Sequence, residues 1–158
     1  MAGTSSGKER VRWGYAEPFE VTFRDLDLAG HMNNSVVFTW METIRLHHYM
    51  RTSGLTDPSE IDFILAESTA RYFVPVRYKH RIVGEVAPGH VGRTSWELIY
   101  RFVDEPSGTV LMRARSVQVS YDYKTLQKKP ISDAVRERLL AERVDPVSEG
   151  WPALSRSP

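Results

Sequence analysis

One long helical run, followed only by strand-like runs, constrains the fold of this chain more than any other feature. Between Asn34 and about Arg51 the apolar residues Val37, Met41 and Ile44 recur at spacings of four and three, as on one face of a helix. Gly54 follows this run and favours the end of the helix there. A helix of that length spans about 27 Å, so the rest of the domain must pack against it.

Four runs after residues 57–58 (Asp-Pro) have the alternation and composition of strands. They read DFILAESTARYFVPVRY, HRIVGEVAPGHVGR, TSWELIYRFVDE and GTVLMRARSVQVSYDYK. Residues 105–108 (Glu-Pro-Ser-Gly) predict a turn between the last two, and therefore an antiparallel hairpin. A charged run, ISDAVRERLLAER, predicts a second, short helix. This order predicts an α+β fold in which an antiparallel sheet carries a long helix on one face.

Length and local composition predict a single domain between two tails. The chain has 158 residues, which suits one domain. Before the helix, FEVTFR (Phe19–Arg24) alternates as a first strand would. Residues 1–17 and 145–158 show no sustained period, so we expect flexible tails on either side of a domain at 18–144.

Composition makes several classes of partner and cofactor unfavourable. The 21 Lys+Arg and 20 Asp+Glu give a net charge of +1, so we expect neither nucleic acid nor an anionic membrane as a partner. Without cysteine there is no disulfide, Cys-based zinc site or thiol nucleophile. No apolar run resembles a signal peptide or a membrane span, which predicts a cytoplasmic protein. His47 and His48 are adjacent on the predicted helix and point about 100° apart, so we predict no metal site.

The loop RDLDLAGHMNN (Arg24–Asn34) gathers two carboxylates, a histidine and two amides between the first strand and the helix. The unpaired N–H groups at a helix start can stabilise the oxyanion that forms when a thioester is attacked. A carboxylate just upstream, here Asp27, can attack the carbonyl or activate a water. Loop aspartates also commonly fix turns, and we expect that structural role for Asp25. Asn33 or Asn34 can cap the helix.

Five motifs in this order resemble the hot-dog-fold thioesterases of the 4-hydroxybenzoyl-CoA thioesterase-like family. They are RDLDLAGHMNN, METIR, ARYFVPVRY, GRTSWELIYRF and VQVSYDYKTLQKKPIS, and the resemblance covers about residues 19–140. The resemblance implies an antiparallel five-stranded sheet wrapped on one long central helix. It also implies an acyl-CoA thioesterase that needs no cofactor, because coenzyme A enters as part of the substrate.

The same resemblance assigns roles to individual residues. It makes Asp27 the catalytic carboxylate, as general base or nucleophile, and the backbone N–H of Asn34 the oxyanion donor. His31 and the Asn34 side chain would orient the water or the thioester, and Asn33 is a candidate substrate contact as well as a cap. Some relatives carry a histidine at position 34 and a tyrosine at position 23, where this chain has Asn34 and Phe23.

Further candidates lie outside the loop. By resemblance, Thr94 and Ser95 would line the pantetheine channel, and Arg93 is a candidate cation for the coenzyme A phosphates. Glu42 would support the site from behind the loop. Its spacing from Arg45 favours an ordinary ion pair on the helix.

Several alternatives stay open on the sequence alone. The thioester could be carried by an acyl carrier protein, the enzyme could be a hot-dog hydratase or dehydratase, or the chain could bind acyl thioesters without catalysis. The family resemblance further implies a homodimer, with active sites at the subunit interface, and a homotetramer built from two dimers.

Overall fold

The computed structural model describes residues 13–152 as one curved antiparallel sheet with a long helix on one face. The elements in chain order are β1 (Tyr15–Glu20), α1 (Val36–Ser53), β2 (Phe63–Tyr72), β3 (Arg81–Val91), β4 (Ser95–Asp104), β5 (Val110–Asp122), β6 (Gln127–Lys128) and α2 (Asp133–Ala141). The five long strands lie in the order β1-β3-β4-β5-β2, and the short β6 pairs with the end of β5. The predicted α+β arrangement, five strands around one long helix, is confirmed.

Helix α1 packs on the sheet face that carries Leu98, Tyr100 and Phe102 of β4, and its apolar side chains form the main core with them. The helix ends as predicted at Gly54, whose φ of 78° is a left-handed conformation that glycine adopts without strain. It begins at Val36, two residues later than predicted. The delay arises because the backbone from 33 to 35 forms a turn before regular helical bonding starts.

The predicted hairpin is confirmed as β4 and β5, which pair antiparallel on either side of the turn at 105–108. On β5 the residues facing α1 include polar ones. Ser116 pairs across with Leu98, and Gln118 pairs across with Trp96, so both share the face of the core. This places buried polar groups under the middle of the long helix.

The first strand lies four residues earlier than predicted, at Tyr15–Glu20 instead of Phe19–Arg24. Residues 23–25 form a single 3-10 turn, because the Asp25 carboxylate accepts a hydrogen bond of 2.7 Å from the Thr22 N–H and turns the chain. Pro18 is tolerated inside β1 because β1 is an edge strand that pairs only with β3.

The prediction of flexible tails is wrong for residues 13–17 and 145–152, whereas residues 1–12 and 153–158 lie outside the described part. Residues 15–17 belong to β1. Trp13 and Trp151 are both buried on the sheet face opposite α1, where they form a second apolar cluster with Ala87 and Ile99. The ends of the described chain therefore cover the back of the sheet.

Arginines on the back of the sheet hold the segment 145–152 in place. Arg71 donates a 2.7 Å hydrogen bond to the Gly150 carbonyl, and its guanidinium lies 4.2 Å from the centre of the Trp151 ring. Arg113, the cross-strand partner of Arg71, donates to the Glu149 carbonyl. Each arginine binds several groups at once, so the segment belongs to the folded domain.

We expect Trp151→Ala to lower the free energy of unfolding by about 3–5 kcal/mol, the usual loss when a buried tryptophan is truncated. Urea unfolding followed by circular dichroism measures it. Val147→Ala is the matched control, because Val147 lies in the same segment but is mostly exposed, and it should shift stability by no more than about 0.5 kcal/mol. An equal, small effect of both changes would show that the segment adds nothing to the core.

Candidate active site

The loop between β1 and α1 forms a short hairpin that carries the predicted catalytic carboxylate. Leu26 and Met32 pair across it, and the N–H of Asp27 donates a 2.8 Å bond to the carbonyl of His31. Gly30 has a φ of 75° and closes the turn by donating to the Asp27 carbonyl at 3.0 Å. These hydrogen bonds fix the position of the Asp27 backbone, and therefore of its Cβ atom.

Within the described residues, one of the two oxygens of the Asp27 carboxylate accepts hydrogen bonds. Its Oδ1 accepts hydrogen bonds from the N–H groups of Ala29 at 2.8 Å and His31 at 3.3 Å. Within residues 13–152 its second oxygen has no hydrogen-bond partner, and the side chain is exposed. One oxygen thus orients the group, and the other remains available to a water or a carbonyl carbon.

Asp25 has the structural role expected from the sequence. Its Oδ2 accepts bonds from the Thr22 N–H at 2.7 Å and the Thr22 hydroxyl at 2.8 Å. Its backbone carbonyl accepts a 2.7 Å bond from the Asn33 N–H. Asp25 therefore ties the two ends of the loop together, whereas Asp27 two residues later does not.

The two asparagines before α1 differ in their hydrogen bonds. The Asn33 side-chain oxygen accepts bonds from the N–H and the hydroxyl of Ser35, both at 2.9 Å, and so fixes the turn that precedes the helix. The N-cap of α1 is Ser35, whose side chain makes no capping bond, so the predicted cap at Asn33 or Asn34 is wrong. The backbone N–H of Asn34 makes no hydrogen bond within residues 13–152. Its carbonyl accepts a bond from the Tyr72 hydroxyl. A free donor therefore stands at the positive end of a long helix.

Asn34 also lines a cleft of about 350 Å³, which we call the Asn34 cleft. It is lined by His31, Met32, Asn34, Met112 and the segment from Tyr72 to Val76. The lining is mostly apolar, and partial burial raises the pKa of the Tyr72 hydroxyl, so that group stays protonated. The cleft can therefore hold an apolar group beside a hydrogen-bond donor.

The structure does not bring Arg93, Thr94 and Ser95 to this loop within one chain. Arg93 and Thr94 lie in the turn between β3 and β4, and Ser95 begins β4, whereas the loop follows the end of β1, which pairs with the start of β3. The length of β3 separates the two places by about 30 Å. The carbonyls of Arg93 and Thr94 are occupied by the N–H groups of Ile131 and Ser120.

Glu42 lies two turns beyond Asn34 and lines a second cleft of about 310 Å³ together with Arg45, which we call the Arg45 cleft. The predicted Glu42–Arg45 ion pair is absent from the described part of the chain. Arg45 is instead buried against the Tyr100 hydroxyl. Burial raises the pKa of Tyr100, and the neighbouring Arg45 charge opposes that shift. A buried arginine was not foreseeable here, because its spacing from Glu42 favours a surface pair.

Two general findings concern residues 13–152 alone. None of the helices there is long and apolar enough to cross a bilayer. Among the same residues, no group of three or more His, Asp or Glu side chains is close enough to hold a metal ion.

Comparison with solved structures shows the same fold in several thioesterases. A predicted thioesterase from Bacillus stearothermophilus is 20% identical, with 84% of this chain and 98% of that chain covered and a TM-score of 0.77. A thioesterase from Thermus thermophilus, complexed with coenzyme A and Zn, is 26% identical over 80% and 98% of the two chains, with a TM-score of 0.72. A 1,4-dihydroxy-2-naphthoyl-CoA thioesterase from Synechocystis is 16% identical over 80% and 95%, with a TM-score of 0.69. These similarities confirm the predicted hot-dog fold.

The family follows from a sequence comparison. No curated protein is detectably similar to the chain. The family model of the thioesterase-like superfamily, however, matches residues 21–139, which include the loop, α1 and the four long strands other than β1. The predicted enzyme class, a thioester hydrolase, agrees with that family. The chain belongs to the thioesterase-like superfamily.

Proposed function

We propose that the protein hydrolyses an acyl-CoA thioester to the free acid and coenzyme A, with Asp27 as the catalytic carboxylate. The observation that carries the proposal is the free N–H of Asn34, which lines the Asn34 cleft, together with an Asp27 carboxylate that accepts a hydrogen bond from the N–H of His31, a residue of the same cleft. A backbone donor and a carboxylate are the two groups that attack on a thioester carbonyl requires.

The proposed reaction begins with the thioester carbonyl oxygen on the N–H of Asn34. Asp27 takes a proton from water as the oxygen of that water bonds to the carbonyl carbon, or the carboxylate attacks the carbon itself. The oxyanion accepts the hydrogen bond, and the field of α1 stabilises it. The C–S bond then breaks, the carbonyl re-forms, and coenzyme A leaves as the thiol, protonated by Asp27 in the general-base route and by water in the nucleophilic route. In the nucleophilic route, water then hydrolyses the anhydride on Asp27.

Coenzyme A is the proposed carrier because the Thermus relative was solved with coenzyme A bound. A protein from Staphylococcus aureus, also complexed with CoA, is 10% identical and has a TM-score of 0.73. An acyl carrier protein is the competing carrier. The cytoplasmic location inferred from the sequence stays a prediction.

Free-thiol release from acyl-CoAs with short, long and aromatic acyl groups tests the proposal, with the same acyl groups on acyl carrier protein in parallel. We expect turnover on at least one acyl-CoA. Turnover of the acyl carrier protein thioesters alone would show that the acyl carrier protein, and not coenzyme A, carries the acyl group of the substrate. No turnover on either carrier would contradict the proposed hydrolysis, and loss of an enoyl double bond with the thioester intact would indicate a hydratase.

We also propose a homodimer joined through β2. This strand is ten residues long, pairs only with β5 among the described strands, and exposes large apolar side chains along its length and just beyond its end. They are Leu65, Tyr72, Phe73 and Val74. Two copies of β2 pair antiparallel if both copies of α1 stay on the same face of the joined sheet. This pairing brings the turn with Arg93 of one subunit to the same end as Asp27 of the other, which fits its proposed contact with coenzyme A.

We expect sedimentation equilibrium to give twice the 18.1 kDa mass of the chain. Leu65→Glu puts a charge on the proposed interface and should shift the protein toward the monomer, with loss of activity. Leu126→Glu is the control, because Leu126 is also exposed but lies near β6. A monomer that retains full activity would contradict the dimer. The homotetramer implied by the family resemblance stays a prediction.

A further inference from the structure

The Arg45 cleft is the second apolar depression along β2. It lies between α1 and the start of β2, and its volume of about 310 Å³ is at the lower end of the clefts that bind small ligands. Its walls are apolar or aromatic: Leu46, Ile61, Phe63, Ile64, Leu65 and Tyr123. Such walls suit a short hydrocarbon chain.

Arg45 is an unusual member of these walls. The residue is only 7% exposed, and its charge opposes the rise in the pKa of Tyr100 that burial causes, because the guanidinium lies near that hydroxyl. Among the ion pairs within residues 13–152, none joins this guanidinium to an Asp or Glu oxygen. Buried arginines are almost always paired with an anion, because an unpaired charge out of water is costly. A guanidinium has five N–H donors and binds a carboxylate through two parallel bonds, so the cleft offers an anion site at an apolar wall.

The distance from Asn34 to Arg45 shows whether an acyl group bound at Asn34 reaches the Arg45 cleft of the same subunit or of the other subunit. Arg45 follows Asn34 by eleven residues, nearly all of them in α1, which places it about 16 Å away in one chain. In the proposed dimer the start of one β2 lies beside the end of the other. Tyr72, which contacts Asn34, ends β2, and Phe63 of the Arg45 cleft begins it. The Asn34 cleft of one subunit therefore meets the Arg45 cleft of the other.

We propose that the Arg45 cleft receives the far end of the acyl group and that Arg45 binds a carboxylate there, so that the preferred substrates are coenzyme A thioesters of dicarboxylic acids. The proposal rests on the proposed hydrolysis and on the dimer. Methylene groups contact the apolar walls, and the terminal carboxylate reaches the guanidinium. Glu42, exposed on the same cleft, weakens this attraction by its negative charge.

A matched pair of substrates tests the carboxylate. Adipoyl-CoA and hexanoyl-CoA have acyl chains of the same length, and only adipoyl-CoA has a terminal carboxylate. We expect wild-type kcat/KM to be higher for adipoyl-CoA by about 10-fold or more, the size of one charge-assisted pair. Arg45→Met should bring the ratio of the two values near one, and Glu42→Gln should raise it. The ratio does not depend on how much of a variant is folded.

Controls separate recognition from structure. Arg51→Met removes an exposed arginine from the same helix, which pairs with Glu142, and should leave the ratio unchanged. If Arg45→Met does not fold, Arg45→Lys keeps the charge, loses the two-bond geometry and should give an intermediate ratio. Equal kcat/KM for both substrates in the wild type, or a ratio unaffected by Arg45 variants, would overturn the proposal and leave the hydrolysis standing. If the protein hydrolyses neither of these substrates and no other acyl-CoA, the proposed function itself is contradicted.

A mixed dimer tests whether the two residues act across the interface. One subunit carries Asp27→Asn and the other Arg45→Met, with different affinity tags to purify the hybrid. If the site combines Asp27 of one subunit with Arg45 of the other, one of the two sites is wild type and the adipoyl preference is retained. If both residues act within one chain, the active subunit lacks Arg45 and the preference is lost, which would overturn the arrangement across the interface.

Discussion

Replacing Asp27 by asparagine is expected to lower kcat for thioester hydrolysis by about 10²–10⁴-fold, the usual contribution of a positioned acid–base group. The amide oxygen of asparagine can still accept the bonds that Ala29 and His31 donate to Oδ1, so the turn should persist. The change removes the basic oxygen that has no partner within the described residues. Free-thiol release on the best acyl-CoA, measured over a range of substrate concentrations, separates kcat from KM.

The neighbouring aspartate provides the control. Asp25→Asn alters a carboxylate of the same loop that binds Thr22 and not the cleft, so kcat should stay close to wild type while stability falls by about 1 kcal/mol. Comparable losses of kcat in both variants would show that the loop as a whole, and not the Asp27 carboxylate, matters. Wild-type kcat in Asp27→Asn would exclude Asp27 as base and as nucleophile.

The order of the elements could be predicted because each has a strong local period. The spacing of Val37, Met41 and Ile44 is helical, and β4 alternates so regularly that Leu98 and Tyr100 face the core while Ile99 faces the other side. Turn residues supplied the connections. Such signals are local. They predict whether a segment is a helix or a strand better than they predict which elements it contacts in the fold.

The errors occurred where distant contacts decide the structure. Nothing near Trp151 in the sequence predicts that it will be buried, because its neighbours in the fold, Arg71 and Ile99, lie far away in the chain. β1 was misplaced because Pro18 normally interrupts a strand and is tolerated only at an edge. Edge position is a property of the whole sheet.

The candidate site shows the same division. The structural role of Asp25 depends on bonds to Thr22, three residues away, so the loop motif predicted it. Arg45 lies instead near Tyr100, which comes from β4, whereas the sequence predicted an ion pair between Arg45 and Glu42. The residue proposed to recognise the acyl group is thus harder to find from the sequence than the residue proposed to react.

The backbone N–H of Asn34 can be removed without removing the helix. The N–H of Asn34 makes no hydrogen bond within residues 13–152, and Asn34 lies in the turn before α1, so a proline at this position breaks no bond of the helix. Asn34→Pro therefore deletes one hydrogen-bond donor and leaves the fold. We expect kcat to fall by about 10²–10³-fold, the loss seen when one oxyanion donor is removed. KM should change little, since the donor acts mainly in the transition state.

Asn34→Ala keeps the N–H and removes only the side-chain amide, so it separates the two groups of this residue. We expect it to retain most of the activity, with urea unfolding near wild type for both variants. An equally severe loss in Asn34→Ala would assign the effect to the side chain, as the resemblance to relatives with a histidine at this position would allow. Nearly full activity in Asn34→Pro would require another donor for the oxyanion. The N–H at the start of α1 would then be excluded as the oxyanion donor.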